Sequence, residues 1–320
     1  IAAHAFSPLI SLFLTGKRKL DDKGVFDGKK INEYALWYGL SAGIVLLVQN
    51  IDVFAVELLL KDSVVTGLYV SSTTLSRAMV VLLGAIAVGI FPSISLLTSQ
   101  KSTKTQNYLR TVFLYVFTLL IPIALFFSAG AYNLLSLFFS EKYVAATEFL
   151  QILSISAAFT TFIFIALAIF NAAEETRKTF KLAAIFLVIE IAAIFLGLTI
   201  LGYSATVLAY SVLASTFIAF GITVFELRDK FGEVLPYKPL AKLVIAGLVS
   251  TVIFIIVQSL FMSKWSLIPA TAVGLFSYIV LTGGLRVYAD EDVKLVNSFV
   301  PKVFQPWLLQ VERAFGYIVK

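Results

Sequence analysis

The 320-residue sequence has no cysteine, a single histidine at position 4, and only 14% charged residues. Without cysteine there is no disulfide, no thiolate metal site and no thiol nucleophile. One histidine removes every paired-histidine metal site, HExxH included. No GxxxxGK[ST], GxGxxG or GxSxG occurs, so nucleotide hydrolysis, dinucleotide redox chemistry and serine-hydrolase chemistry have no motif, and no cofactor is implied. The scarcity of charge is matched by 59% hydrophobic residues and a mean hydropathy of +0.94. A soluble core does not need that much apolar sequence, and the composition points to a polytopic membrane protein.

Apolar stretches long enough to cross a hydrocarbon layer of about 30 Å fall at roughly 34–60, 68–97, 108–130, 147–170, 180–202, 204–225, 240–262 and 266–288. They are too long and too continuous for barrel strands of alternating polarity. Lipid offers the backbone no hydrogen bonds, so all of them are expected to be α-helical. The expected fold is an all-α bundle of about eight transmembrane helices. Residues 1–15 begin IAAHAF, without Met, and end in GKRK, so their charge follows the apolar run instead of preceding it as in a signal peptide. They read as the end of a ninth helix whose beginning is missing, followed by a basic linker over 16–33.

The loops alternate in charge. Of the 25 basic residues, all but Lys61, Lys142, Lys264 and Arg77 fall in the 17–30 segment, in every second loop after it, or in the C-terminal stretch. By the positive-inside rule that side, with the C-terminus, is cytoplasmic. Topology accounts for the net charge of +6, and no nucleic-acid partner is needed. Residues 290–320 differ again: Val296, Phe299, Val303, Trp307, Val311 and Phe315 recur at three or four residues among Lys302, Glu312 and Arg313. This reads as an amphipathic tail lying on the inner leaflet.

Two charges stand where hydrocarbon is expected. Asp52 lies nine residues before Lys61, and Arg77 ten after Gly67, on adjacent antiparallel helices. At the α-helical rise both sit about 13–15 Å below the same outer turn. An unpaired charge at that depth costs about 3 kcal/mol on insertion scales, so Asp52 is expected to pair with Arg77. Gln49 and Ser41 extend the Asp52 face, and Thr73 and Gly84 extend the Arg77 face. Two readings stay open: a structural ion pair locking the hairpin, or a charged wall on a water-filled cavity.

Glu57 precedes Lys61 by four residues and reads as a surface pair. Glu190, in FLVIEIAAIF, has no basic residue within a helical turn. It is protonated, paired with another helix, or part of an ion path. Pro92, Pro122 and Pro269 fall in or at the ends of spans, where bends are tolerated. GLSAG at 39–43 is a GxxxG pattern and points to close helix packing.

The stretch VQNIDVFAVELLLKDSVVTGLYVSSTTLSRA, leaving through AIAVGIFPSISLL, resembles the seventh and eighth helices of polysaccharide-type flippases in the multidrug/oligosaccharidyl-lipid/polysaccharide (MOP) exporter superfamily. The residues that carry the likeness are Asn50, Asp52, Gly67, Tyr69, Phe91 and Pro92. LLSLFFSEKYVAATEFLQILSIS at 134–156 is similar to an outer segment of that family, and LGYSATVLAYSVLAS at 201–215 to the entry of its twelfth helix. Ser204, Ala205 and Thr206 depart from the family's usual small-residue run there, and Arg77 stands further after Tyr69 than its basic residue often does.

The resemblance covers about residues 30–290. It implies a non-enzymatic plasma-membrane transporter that moves a polyprenyl-phosphate-linked glycan from the inner to the outer leaflet by alternating access. Residues 34–225 would be its six-helix C-terminal lobe and 240–288 two additional helices, with the amino-terminal lobe missing. Arg77, Asp52, Gln49 and Thr73 would line the substrate cavity, and Glu190 would carry the coupling ion. The alternatives are an ion-coupled drug or cation antiporter of the same superfamily and a membrane-embedded glycan polymerase or ligase. The short outer loops disfavour the last. In a non-transporting scaffold, a fourth reading, the charges would be purely structural.

Overall fold

A computed structural model describes residues 28–99, 104–261 and 263–288. The expected end of a helix at 1–15, the first part of the basic linker and the amphipathic tail over 290–320 lie outside the described residues. Within them every regular element is helical, and eight stretches are long and apolar enough to span a membrane. The chain is a polytopic helix bundle.

Helix α1 runs Gly28–Val48 and α2 Ile51–Ala55, continuing as a π-helical turn over Val56–Leu60. Then follow α3 (Ser63–Ser99), α4 (Thr105–Ala129), α5 (Ala131–Phe138), a 3-10 segment Glu141–Ala146 and α6 (Thr147–Ala172). The remainder comprises α7 (Thr176–Leu201), α8 (Ala205–Phe231), α9 (Tyr237–Ser259), a 3-10 turn Lys264–Ser266 and α10 (Leu267–Gly284). The described residues fall into two compact units, one ending at Leu36 and the other beginning at Trp37.

Three boundaries differ from the sequence reading. Helix α1 already includes Gly28–Glu33, which hydropathy assigns to the linker; KKINE contains no helix breaker, and polar residues continue a helix into the interface without an apolar signal. The span read as one helix over 34–60 is two pieces, broken at Gln49–Asn50. Glu57 and Lys61, expected to pair at i, i+4, form no ion pair. The π-helical turn changes their register, and Lys61 takes a left-handed conformation with φ 53°.

That left-handed Lys61 ends the hairpin's first arm, and Asp62 starts its second. The Asp62 carboxylate accepts from the amides of Val64 (2.9 Å) and Val65 (3.2 Å), satisfying two orphan donors at the start of α3. A turn this tight fixes the relative depth of α2 and α3. Pro269 falls in the first turn of α10, where its missing N–H leaves no hydrogen bond broken, so it bends nothing.

Within residues 37–320, α6 is the axis. Its span is 67% buried, against 17% for α3, and it packs on α3, α4, α7 and α8. Aromatic stacking fills the layer between α4 and α6, where Phe162 meets both Phe113 (5.0 Å) and Phe117 (5.5 Å). Helices α9 and α10 pack on one another and attach through α4. At the basic end, Lys178 pairs with Glu226 (2.6 Å) and Lys230 with Glu175, tying α7 and the preceding turn to α8.

Candidate functional site

The break at Gln49–Asn50 builds the site. Asn50 donates its side-chain amide back to the Leu46 carbonyl (2.8 Å), covering an acceptor that the end of α1 leaves open. Asp52 then sits in the first turn of α2, where a carboxylate is favoured by the exposed amides and the helix dipole. One oxygen accepts from the Val53 amide at 2.8 Å.

The same Oδ1 accepts from Arg77 Nη2 at 2.8 Å, so the ion pair expected from matching depth is formed. The phenol of Tyr69 donates to Oδ2 at 3.4 Å, and Arg77 Nη1 makes a long contact of 3.5 Å to Asn50 Oδ1. The two partners are unequal: the Asp52 side chain is 5% exposed and that of Arg77 29%. Three donors hold the carboxylate in place, and the carboxylate holds the partly exposed guanidinium at the cleft wall.

Arg77 and Asp52 line a cleft with Gln49, Thr73 and Glu190. These five residues therefore reach one place, from α2, α3, α7 and the break after α1, whereas Ser41 and Gly84, expected to extend the same faces, do not line it. The cleft contains about 460 Å³ of unfilled space, of which about 50 Å³ is open to the centres of water molecules. A few waters fit; a sugar headgroup does not, since ligand pockets run to about 300 Å³ and above.

Glu190 is 2% exposed, and its Oε2 has no hydrogen-bond partner among the described residues. Among the described residues Glu190 makes no ion pair with another helix. Thr73 donates to the Val70 carbonyl at 2.9 Å, which leaves its oxygen lone pairs to act as acceptors.

Sequence reasoning missed the wall opposite Arg77. Ser156 and Thr160 on α6 and Thr216 on α8 also line the cleft, with Ser156 and Thr216 sharing a 3.1 Å hydrogen bond. Single hydroxyls in long apolar runs give no signal by themselves. Recurrence does: 156 and 160 are one helical turn apart. Ser76 was missed for the same reason and lies beside Arg77 in the lining.

The bundle is similar to a solved structure described as the outward-facing conformation of a multidrug resistance MATE family transporter of the MOP superfamily. The TM-score is 0.57 at 12% sequence identity, over 90% of this chain and 77% of that one. No protein-family model matches the sequence, and no curated protein matches it. At such identity the likeness is one of architecture alone: the chain is a polytopic helix bundle folded like that structure.

Proposed function

We propose that the chain is part of a membrane transporter working by alternating access, and that its cargo is a lipid carrying an anionic, phosphate-linked glycan headgroup. The observation that carries this reading is the presentation of Arg77: a buried, triply held carboxylate fixes a partly exposed guanidinium in a polar cleft at membrane depth. Arg77 attracts the phosphate; Gln49 and Thr73 offer hydrogen bonds to sugar hydroxyls; Asp52 positions Arg77; and Glu190 is the coupling-ion group.

The narrow cleft fits a closed stage of such a cycle, in which the headgroup enters only when the walls part. A second lobe, expected from the resemblance, would supply the facing wall, and the basic loops would lie in the cytoplasm of a plasma-membrane protein. The test is surface display of a lipid-linked glycan in cells that lack their own flippase and carry the full-length protein. Display restored by the parent protein and lost in Arg77→Ala at equal membrane level supports the proposal. Restoration by Arg77→Ala overturns the headgroup role.

Glu190 favours a second reading. A buried carboxylate with an unpartnered oxygen also suits an ion-coupled antiporter of drugs or other cations. That reading expects ion-dependent export of an organic cation, lost in Glu190→Gln, with no effect on glycan display.

A further inference from the structure

A second cleft lies on the basic-loop side of the first, between α1, α6 and α7, each of which also contributes to the first. Tyr38, Ser41 and Val45 of α1, Phe164 and Asn171 of α6, and Thr179 of α7 line it, and about 210 Å³ is open to water centres. The helical spacing links the two clefts. On α7, Thr179, Phe186 and Glu190 stand at i, i+7 and i+11, on one face. On α6, Ser156, Thr160, Phe164 and Asn171 follow at intervals of four, four and seven residues, again on one face. On α1, Ser41, Val45 and Val48 follow at four and three residues on one face, and Gln49 comes next in the break. Each helix therefore contributes one continuous strip to both clefts.

Only apolar side chains interrupt the strips. Phe186 (2% exposed) and Val48 (5%) close the Glu190 cleft from below and belong to one packed cluster, against which Val45 and Phe164 rest from the other side. Thr160 and Phe164, on opposite sides of this closure, are one helical turn apart, about 6 Å. Phe186 and Val48, with Val45 and Phe164 packed on their cluster, stand between the two linings.

We propose that the two clefts form one water route by which protons pass between the basic-loop face and the Glu190 carboxylate, with Phe186 as its plug. Water in the lower cleft delivers a proton to Glu190 Oε2 when Phe186 moves aside and removes it by the reverse step. The charged groups facing Glu190 are Asp52 from α2 and Arg77 from α3; α6 and α8 contribute the hydroxyls of Ser156, Thr160 and Thr216. In this closed arrangement the volumes admit water and exclude a glycan or a drug, so protons can pass while the cargo waits for the walls to part. This deepens the reading of Glu190 given above, but it is tested without any cargo, so the two fail separately.

The 320 residues contain no cysteine, and any elsewhere in the full-length protein is first replaced by serine. Ala42→Cys, at an exposed position that also lines the lower cleft, and Thr160→Cys are made singly in the full-length protein, and a small membrane-impermeant thiol reagent is applied from the basic-loop face alone. Labelling is expected at Ala42→Cys and absent at Thr160→Cys. Adding Phe186→Ala is expected to bring Thr160→Cys from unlabelled to labelled while leaving Ala42→Cys as it was, which also reports that the fold is kept. If Phe186→Ala does not insert, Phe186→Leu is the substitute, with the same expected gain. Three results overturn the proposal: Ala42→Cys unlabelled, Thr160→Cys labelled while Phe186 is in place, or Thr160→Cys still unlabelled once the ring is removed.

Discussion

Truncating Arg77 to alanine leaves Asp52 buried, with the Val53 amide and Tyr69 as its remaining donors. Removing one member of a buried pair costs about 3 kcal/mol, whereas replacing both with apolar residues of similar size is often neutral. Arg77→Ala and Asp52→Ala are therefore each expected to lower unfolding stability in detergent by about 3 kcal/mol, and Arg77→Met with Asp52→Leu by much less. Tyr69→Phe removes only a long 3.4 Å hydrogen bond from a ring that is otherwise fully buried, so a loss of about 1 kcal/mol is expected, with transport retained. At this scale the sequence was informative where a residue broke its surroundings. Arg77, Asp52 and Glu190 stand out because charge in an apolar run has a cost that demands an answer. Ser156, Thr160 and Thr216 bear no such cost, since a hydroxyl can donate to its own helix, as Thr160 does to the Ser156 carbonyl at 3.1 Å.

Helix boundaries show the limits of hydropathy. The interruption between α1 and α2 contains neither proline nor glycine, and VQNIDVF keeps its apolar character through it. What makes the break tolerable is side-chain chemistry that no window average registers: Asn50 folds back onto the Leu46 carbonyl, and Asp52 accepts an amide of the new segment. Asn50→Ala is expected to destabilise the hairpin by about 1 kcal/mol and to weaken the hold on Arg77, measured as a lower apparent affinity for the cargo. A different element depends on the lack of a side chain. At Gly247 of α9 an added Cβ would stand 2.6 Å from Ile121 Cγ2 and 3.0 Å from Leu125 Cδ1 of α4. Gly247→Val is expected to cost about 2 kcal/mol by forcing α9 and α10 away from α4, read as faster proteolysis of the α9–α10 segment with the Asp52–Arg77 pair unaffected.

For the whole molecule, the alternation of basic loops is the strongest topological signal, because it is summed over many residues and needs no local geometry. Cysteines substituted at Lys61 and Lys142 are expected to react from the outside of intact cells, and those at Lys104 and Lys238 only from the inside. The helix count, order and bundle class were legible because each span must satisfy its own backbone in lipid. The way the helices meet was not, since lipid-facing and protein-facing apolar residues look alike in sequence; the axial place of α6 emerges only from packing.

The central claim is that Arg77 is held by Asp52 in order to meet an anionic headgroup. Its most direct test is surface glycan display by Arg77→Met with Asp52→Leu in the full-length protein, in cells lacking their own flippase, at membrane levels matched to the parent. The account expects display to be abolished although the protein remains folded. Normal display by this double variant, with display lost in each single alanine variant, would contradict it and reduce the pair to a structural lock.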